Sequence, residues 1–257
     1  MQYQGGKFRV AKELAGVINE ISRRQAEVSQ ANFTNDVEHF GGGRTTLVSL
    51  FCGACSVEFQ CAKSFKQIIC NDNNRYLMAC LKAVQDGWVP PTTVSKEQYT
   101  YTREHKDEDP ALTGFIGFGC SFGGKFFGGY AGIDVRNGRK YADSSSRALV
   151  RDITPLNNVT FICMDYREVE IPDGCVIYAD PPYDGTTQYN NTTFNTKEFW
   201  EYARVVSQDH LMFISEQSAP EDFVSVWHKD LLRMIDYNKD NYFTVREHLF
   251  LHKKWCK

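Results

Sequence analysis

The hydrophobic positions of this chain change their spacing several times, and each change predicts a new secondary-structure element. From Phe8 to Ile21 the apolar residues recur at helical spacing with charged residues between them, which predicts an amphipathic helix over residues 7–28. Shorter continuous apolar runs are typical of buried strands. The further elements that we expect are a loop at 29–44, strands at 47–51 and 67–70, helices at 56–65 and 75–84, strands at 159–163, 175–179 and 210–214, and a helix at 199–206.

The alternation of strands and helices stops after the helix at 75–84, where Gly87, Pro90 and Pro91 end the regular pattern. The segment 114–132 is rich in glycine and aromatic residues, and charged, serine-rich sequence follows it. We therefore expect an α/β fold with a mostly parallel sheet that is interrupted once. The predicted main domain comprises residues 1–86 and 152–257, and the predicted inserted lobe comprises residues 87–151.

The composition is that of a globular protein. The 257 residues are 42% hydrophobic and 24% charged, which excludes a collagen, a disordered chain and a disulfide-stapled miniprotein. Neither a long apolar run nor a signal peptide is visible, so we expect a cytoplasmic protein without a membrane partner. The nine cysteines are an odd, scattered set, which predicts reduced and mostly buried thiols.

The net charge of −3 does not by itself indicate nucleic-acid binding, but the charge is unevenly distributed. Segment 125–151 holds six basic and two acidic residues. Scattered basic residues beside a glycine-rich and aromatic segment suit contacts to phosphates and base edges, although a solvated loop face without a partner has a similar composition. The candidate DNA-binding residues are Lys125, Arg136, Arg139, Lys140 and Arg147.

A first candidate site lies where the strand at 47–51 turns into the following helix. Gly53 stands in this turn, and Asp72, at the end of the next strand, follows it by nineteen positions. A glycine turn with an acidic residue about 20 positions later is typical of a pocket that binds a nucleoside through its ribose hydroxyls. The full dinucleotide pattern is absent because Cys55 stands where a second glycine is expected, which favours S-adenosylmethionine over a dinucleotide.

The same turn allows other interpretations. Cys52 and Cys55 form a C-x-x-C pair at a strand-to-helix turn, which is the context of a thiol redox site. A zinc site is less favoured, because neither a second C-x-x-C nor a histidine pair completes four ligands. A simple structural turn without a ligand is the remaining interpretation of this segment.

A second candidate site follows the apolar run at 175–179. It consists of Asp180, Pro181, Pro182 and Tyr183. Two prolines fix the backbone and remove two N–H donors, so the Asp180 carboxylate and the Pro181 carbonyl can accept hydrogen bonds from one amine. Such acceptors draw an exocyclic aromatic nitrogen towards tetrahedral geometry and free its lone pair for attack on a sulfonium methyl group. Tyr183 offers a face on which the base can stack.

Taken together, these motifs resemble the D12 class of DNA adenine-N6 methyltransferases, which is common in bacteria and phages. Residues 3–7, YQGGK, are similar to that family's N-terminal Trp-x-Gly-Gly-Lys, and residues 51–57, FCGACSV, to its Phe-x-Gly-x-Gly loop. Residues 165–166 stand at the position of the family's Asp-Phe pair, and residues 180–183 match its catalytic tetrad. The chain departs from the pattern at Tyr3 and Cys55.

The resemblance implies a Rossmann-like S-adenosylmethionine-dependent methyltransferase fold with an inserted target-recognition lobe. On this interpretation Asp72 binds the ribose, Asp165 accepts from the adenine amine, and Lys7 and Tyr3 lie near the methionine or adenine moiety of the cofactor. The cofactor-binding residues that it implies are Tyr3, Lys7, Phe51, Gly53, Asp72, Asp165 and Tyr166, and the catalytic residues are Asp180, Pro181, Pro182 and Tyr183.

The predicted activity is methyl transfer to N6 of a flipped-out adenine in double-stranded DNA, without a metal ion. A cognate restriction nuclease is a candidate partner. Three alternatives remain open: the same chemistry on cytosine N4, RNA or a protein amide; a DNA-binding protein that has lost catalysis; and a thiol oxidoreductase that uses Cys52 and Cys55.

Overall fold

The computed structural model describes residues 1, 3, 6–32, 45–134, 138–182, 194–234 and 242–256. The helices are α1 (Ala11–Asn32), α2 (Glu58–Cys61), α3 (Arg75–Gln85), α4 (Lys96–Glu104), α5 (Pro110–Gly114), α6 (Tyr141–Ile153) and α7 (Thr196–Val206). A π-helical turn at Phe115–Gly119 and short 3-10 helices at Phe122–Gly124 and Lys253–Trp255 complete them. The strands are β1 (Thr46–Ser49), β2 (Gln67–Asn71), β3 (Ile133–Asp134), β4 (Arg139–Lys140), β5 (Val159–Ile162), β6 (Val176–Ala179), β7 (Leu211–Glu216), β8 (Phe223–Met234) and β9 (Tyr242–His252).

Seven strands form one mixed sheet in the order β5-β2-β1-β6-β7-β9-β8. The first five are parallel, and β9 runs antiparallel between β7 and the edge strand β8. The strand order changes direction between β1 and β6. The chain continues from β1 towards β2 on one side and from β6 towards β7 on the other, so the loops after β1 and β6 leave the sheet in opposite directions. Ligands of open α/β sheets bind at this kind of reversal. The small β3–β4 pair lies outside the main sheet.

Two hydrophobic cores lie on opposite faces of the sheet, because successive strand residues point to opposite sides. Leu47, Val176 and Phe213 face a layer that includes α1 and α3, whereas Val48 and Ile177 face α7 on the other side. Strands buried on both faces carry continuous apolar runs, which is why the sequence shows them without alternation.

Most predicted strands and helices of the main domain are confirmed. The expected helix at 56–65 is wrong in length, since only Glu58–Cys61 is helical, and helix α1 spans Ala11–Asn32 rather than residues 7–28. Of the loop expected at 29–44, residues 29–32 are therefore helical, and residues 33–44 lie outside the described residues. None of the helices in the described ranges is both long enough and apolar enough to span a membrane. Seven of the nine cysteines are buried, as predicted.

The segment 87–151 contains more regular structure than its sequence indicates, namely α4, α5 and α6. Phe115, Phe118 and Leu149 of this segment are buried in the same core as α1 and α3. Helix α5 packs directly on α3: a methyl group added at Gly114 would lie 2.0 Å from the carbonyl oxygen of Tyr76. Glycine at this position therefore permits a close helix contact, and both halves of the segment 87–151 share a core with α1 and α3.

Candidate active site

A buried ion pair lies at the carboxyl end of β6. Asp180 directly follows this strand, and its Oδ1 lies 2.9 Å from the ammonium nitrogen of Lys7. The same nitrogen lies 3.1 Å from Oε1 of Glu247, on β9. Burial alone would lower the pKa of Lys7, but the charges of Asp180 and Glu247 outweigh it and raise that pKa. Lys7 is therefore a permanent cation held between two carboxylates.

Strand geometry explains why these groups meet. Residues two apart along a strand share a face, so Glu247 follows the core residues Leu251 and Leu249 on β9 towards the edge of the sheet. The hydroxyl of Ser215, on the adjacent strand β7, donates to Glu247 Oε1 over 3.2 Å. The apolar core on this face thus ends in a polar layer beneath Asp180.

Glu216 ends β7 beside this layer and is only 8% exposed. Burial raises its pKa to about 7, and the negative charge of Asp180 contributes in the same direction, although the Gln217 N–H that it accepts opposes the shift. Glu216 therefore changes its charge near neutral pH next to the candidate catalytic carboxylate.

A second buried carboxyl, that of Glu58, lies under the strand β1. The hydroxyl of Ser49 donates to Glu58 Oε1 over 2.6 Å, and Glu58 is 1% exposed. Burial holds the pKa of Glu58 well above its ordinary value. A carboxyl group that stays neutral in this environment joins the short helix α2 to β1 without an unpaired charge.

The glycine turn after β1 is bound directly to the end of β2. The backbone N–H of Gly53 donates to Asp72 Oδ2 over 3.1 Å, and the N–H of Asn74 donates to Oδ1 over 2.9 Å. Burial raises the pKa of Asp72, while these two N–H groups oppose the shift. Gly53 has φ +49°, a left-handed conformation that suits glycine. The spacing that singled out Gly53 and Asp72 thus corresponds to a direct contact.

Tyr3 covers this turn from the N-terminal segment. A methyl group added at Gly53 would lie 2.8 Å from Cε1 of Tyr3, so the ring lies close against the glycine. The ring of Tyr3 also contacts Phe118, with centroids 5.0 Å apart. Tyr3 and Lys7 therefore bring the N-terminal segment to both candidate sites.

Asn71 holds three strand ends together. Its side-chain amide donates to the carbonyl oxygens of Leu50, at 3.0 Å, and Met164, at 3.1 Å. Its Oδ1 accepts the N–H of Met164 over 3.0 Å. These bonds fix the loop after β5, which carries Asp165 and Tyr166, against the loop after β1.

Aromatic side chains form the wall beside Asp165. The ring centroid of Phe51 lies 5.1 Å from that of Tyr166, and Phe194 and Phe199 pack against both rings. Asp165 itself is half-buried and accepts from the Arg167 side chain at 2.7 and 2.9 Å, which lowers the pKa of the carboxyl group. Phe51, Asp165 and Tyr166 thus lie together, as the sequence motifs require.

The turn also gathers three thiols, since the Sγ atoms of Cys52, Cys55 and Cys70 all lie within 4.8 Å of one another. Burial raises the pKa values of Cys52 and Cys55 well above the ordinary thiol value. Burial would raise the pKa of Cys70 as well, but hydrogen bonds from Cys52 and Cys55 oppose this effect and lower that pKa to about 5. All three thiols are at most 6% exposed, and a redox-active cysteine needs an accessible thiolate, so the thiol oxidoreductase interpretation finds no support in this geometry.

The four candidate DNA-binding residues that the structure describes lie in a loop, on the short strand β4 and on helix α6. Lys125 is exposed in the loop after the 3-10 turn, and Arg139 and Lys140 form β4. The guanidinium group of Arg139 lies 4.9 Å from the ring centroid of Tyr141. Arg147 is exposed on α6 and pairs with Asp143 over 2.9 Å.

Two candidate residues, Tyr183 and Arg136, lie outside the described residues. Pro181 is buried and Pro182 is half-buried directly after Asp180, at the edge of the sheet where the tetrad is expected. Sequence reasoning missed Glu247, Glu216, Glu58 and Asn71. For Glu216 a signal existed, since it follows the apolar run 211–214 by two positions, with Ser215 between them, whereas Asp180 follows its run directly. Glu247 had no such signal, because its strand was not predicted.

Comparison with known proteins finds a family profile that matches most of this chain. A family profile described as "D12 class N6 adenine-specific DNA methyltransferase" matches residues 3–111 and 129–244. Comparison with curated protein sequences finds no match.

Two solved structures show a distant likeness to this chain. A precorrin 8W decarboxylase from Methanobacterium thermoautotrophicum is 11% identical with a TM-score of 0.34, and 82% of each chain is covered. A precorrin-6y C5,15-methyltransferase from Geobacter metallireducens GS-15 is 7% identical with a TM-score of 0.36, covering 93% of this chain and 87% of that one.

Proposed function

The chain belongs to the D12 class of N6 adenine-specific DNA methyltransferases, and on this premise we propose that it transfers a methyl group from S-adenosylmethionine to N6 of an adenine in double-stranded DNA. The observation that carries the proposal is the Lys7–Asp180 ion pair at the carboxyl end of β6, on the same sheet edge as the Gly53–Asp72 turn. In this proposal Asp180 of the ion pair accepts hydrogen bonds from the target amine, and the Gly53–Asp72 turn binds the nucleoside part of the cofactor.

The described residues around Gly53 fit the proposed cofactor. Asp72 is buried, and each of its oxygens accepts one backbone N–H while retaining further lone pairs for hydroxyl donors. Phe51 and Tyr166 offer apolar faces to an adenine ring, and Asp165 lies beside them as an acceptor for its amine. S-adenosylmethionine, when bound, supplies an electrophilic methyl group on a sulfonium sulfur.

Asp180 and the Pro181 carbonyl would accept the two hydrogens of the target amine. This contact favours tetrahedral nitrogen and frees its lone pair. Asp180 can accept from the amine while it binds Lys7, because an ionised carboxylate has about four acceptor positions. Lys7 keeps Asp180 oriented, and Glu247 acts through Lys7 as a positioning residue. Tyr183 is proposed as the stacking partner of the base.

The target adenine is unreachable inside a duplex, so the proposal requires that it be flipped out, at a cost of a few kcal/mol that stacking and hydrogen bonds in the pocket offset. Lys125, Arg139, Lys140 and Arg147 support the binding of the flanking phosphates from the segment 87–151, together with Arg136. Phosphate contacts of this kind make binding strongly salt-dependent.

The test uses purified protein, isotopically labelled S-adenosylmethionine and unmethylated duplex DNA, followed by digestion to nucleosides and mass analysis. N6-methyladenine is expected. A product labelled at cytosine N4, or label found only on RNA or a protein amide, would replace DNA adenine as the substrate, and no labelled product would contradict methyl transfer altogether.

Asp180→Ala should abolish transfer while cofactor affinity changes little. The matched control is Asp173→Ala, which removes an exposed carboxylate from the turn before β6 and should keep full activity. An active Asp180→Ala protein would show that the amine contacts are assigned wrongly. Digestion of DNA from expressing cells with methylation-sensitive nucleases identifies the recognised sequence, and a nuclease blocked by that mark is the candidate restriction partner.

A further inference from the structure

Three buried thiols meet beneath the candidate cofactor pocket. Cys52 and Cys55 come from the turn after β1, and Cys70 comes from the adjacent strand β2, where it pairs with Ser49 in the parallel register. All three Sγ atoms lie within 4.8 Å of one another, and the side chains are between 0% and 6% exposed. The sequence shows only the pair Cys52 and Cys55, so the third thiol is a product of the fold.

The backbone holds this arrangement in place. The Cys52 N–H donates to the Asn71 carbonyl over 2.8 Å, and the Cys55 N–H donates to the Cys52 carbonyl over 2.8 Å. Cys55 adopts φ +57°, a left-handed conformation that is uncommon for a residue other than glycine. This conformation turns the Cys55 side chain into the core beside the other two thiols, so the site is formed before any ligand binds.

The surroundings restrict which ligand can bind. Burial is the largest influence on the three thiols, followed by the other thiols of the cluster and, for Cys55, by the carboxyl group of Glu58; among the described residues, none of these groups is a cation. A net charge buried without a partner is costly. A ligand that leaves a neutral complex is therefore favoured over one that leaves the site anionic.

We propose that Cys52, Cys55 and Cys70 form a three-coordinate site for a trivalent thiophilic metalloid ion, with arsenic(III) as the probe, and that occupation of this site opposes cofactor binding. Soft thiolate sulfur is the donor that such ions select. Arsenous acid reacts with three thiols to give one tris-thiolate and three waters. Three As–O bonds break, three As–S bonds form, and each thiol proton leaves with a hydroxide. No electron is transferred, and the product is neutral.

A zinc complex at this site would differ from the metalloid complex in its net charge. One Zn²⁺ ion that displaces three thiol protons leaves the complex with a net charge of about −1 in an apolar interior, and it prefers a fourth ligand. Among the described residues, the cluster that could hold an ion comprises only these three cysteines. The site therefore favours the three-coordinate ion over zinc.

Gly53 couples the thiols to the pocket. Its carbonyl oxygen accepts from the Cys52 thiol at 3.7 Å and from the Cys55 thiol at 3.8 Å. Its N–H binds Asp72, and the Tyr3 ring packs directly against this glycine. Ligation removes both S–H donors from the Gly53 carbonyl and draws the sulfurs together, which shifts the residue that holds Asp72 and Tyr3. The link to the cofactor, unlike the ion site itself, rests on the proposed function.

The experiment uses the full chain with the two exposed cysteines replaced, Cys163→Ser and Cys256→Ser, so that surface thiols do not bind the probe. The protein is incubated with arsenite under reducing conditions, and also refolded in its presence because the thiols are buried. Intact mass is then measured, and S-adenosylmethionine affinity is measured by calorimetry. Cys70→Ala removes one ligand, and Cys61→Ala removes an equally buried thiol outside the cluster.

We expect one arsenic atom per chain, with the loss of three hydrogens, in the parent protein and in Cys61→Ala but not in Cys70→Ala. The loaded protein should bind the cofactor at least about tenfold more weakly. Absence of the adduct after refolding, or the same adduct in Cys70→Ala, overturns the ion site. An adduct with unchanged cofactor affinity overturns the coupling. A parent protein that binds no cofactor even without arsenite counts against the proposed function and not against the ion site.

Discussion

The ammonium nitrogen of Lys7 and the Oδ1 atom of Asp180 are joined in a buried ion pair, 2.9 Å apart, although 173 positions separate the two residues. Burial lowers the pKa of Lys7, but Asp180 and Glu247 raise it by more. A raised lysine pKa means that the contribution of this pair to stability is present at neutral pH and is lost only at alkaline pH. The pair therefore persists throughout the range in which the enzyme would act.

Lys7→Met should lower both the rate of methyl transfer and the free energy of unfolding. The variant leaves the carboxylates of Asp180 and Glu247 facing each other without their shared cation, and breaking a buried ion pair costs about 3 kcal/mol or more. We expect at least a hundredfold loss of methyl transfer (about 2.7 kcal/mol of transition-state free energy). Lys12→Met, on the exposed face of α1, is the control. Wild-type turnover in Lys7→Met would show that the pair has no part in catalysis.

Gly53→Ala should weaken cofactor binding by about tenfold or more, because the added methyl group meets the Tyr3 ring in a backbone conformation that costs alanine about 1 kcal/mol. Gly16→Ala is the matched control, since Gly16 lies in α1 with open space around it. That control should raise stability by roughly 0.5–1 kcal/mol through helix propensity. Calorimetric titration with S-adenosylmethionine measures the first effect, and equal affinity in the two variants would contradict it.

The raised pKa of Glu216 predicts that the free energy of unfolding depends on pH. Its folded pKa of about 7 lies above its ordinary value of 4.5, so between these values the folded state binds more protons than the unfolded state. Stability therefore falls as pH rises through this window. Glu216→Gln keeps an oxygen for the Gln217 N–H and should be more stable than the parent at pH 8, by about 1–3 kcal/mol, with little of this gain at about pH 4.

Urea denaturation at several pH values measures the effect. Glu221→Gln, on an exposed carboxylate nearby in sequence, should show no pH-dependent gain. Parallel pH profiles for the parent and Glu216→Gln would mean that Glu216 is ionised like an ordinary surface carboxylate.

If Arg139 and Lys140 on β4 contact DNA phosphates, each should contribute to the salt dependence of DNA affinity. Arg139→Ala and Lys140→Ala should each weaken binding and each reduce the slope of log affinity against log salt by about 0.9 if one phosphate contact is lost. Lys66→Ala is the control, because Lys66 precedes β2 at the amino end of the sheet, away from the candidate site. Fluorescence anisotropy at several salt concentrations provides the measurement, and an unchanged slope in the β4 variants would place the DNA elsewhere.

The sequence predicts the parallel half of the fold because each of its strands is buried on both faces. Runs such as 47–51 and 175–179 are continuous and apolar, so composition alone reveals them. The β8–β9 hairpin is different: exposed Val224, Leu232 and Phe243 stand among charged residues, and its pattern is mixed. The helix expected at 56–65 is short, and the chain after it is held from a distance: the side-chain amide of Asn158 donates to the carbonyl oxygens of Ala62 and Phe65.

The candidate site likewise contains residues that the sequence reveals and residues that only the strand pairing brings together. Gly53 and Asp72 are visible because a fixed spacing joins neighbouring parallel strands, and Asp180 is visible because it ends an apolar run. The pairing of Lys7 with Glu247 is set by the antiparallel insertion of β9, which no local pattern encodes. The meeting of Cys70 with Cys52 and Cys55 likewise depends on the register between β1 and β2.

Because β9 lies between β7 and β8 in the sheet but follows both in the chain, the second carboxylate that binds Lys7 is synthesised after both of its neighbouring strands. A nascent polypeptide that has already produced its first helix and the Asp180 corner still lacks this group. A chain that ends upstream of β9 would therefore carry the aromatic wall and the glycine turn, but Lys7 would have Asp180 as its carboxylate partner without Glu247.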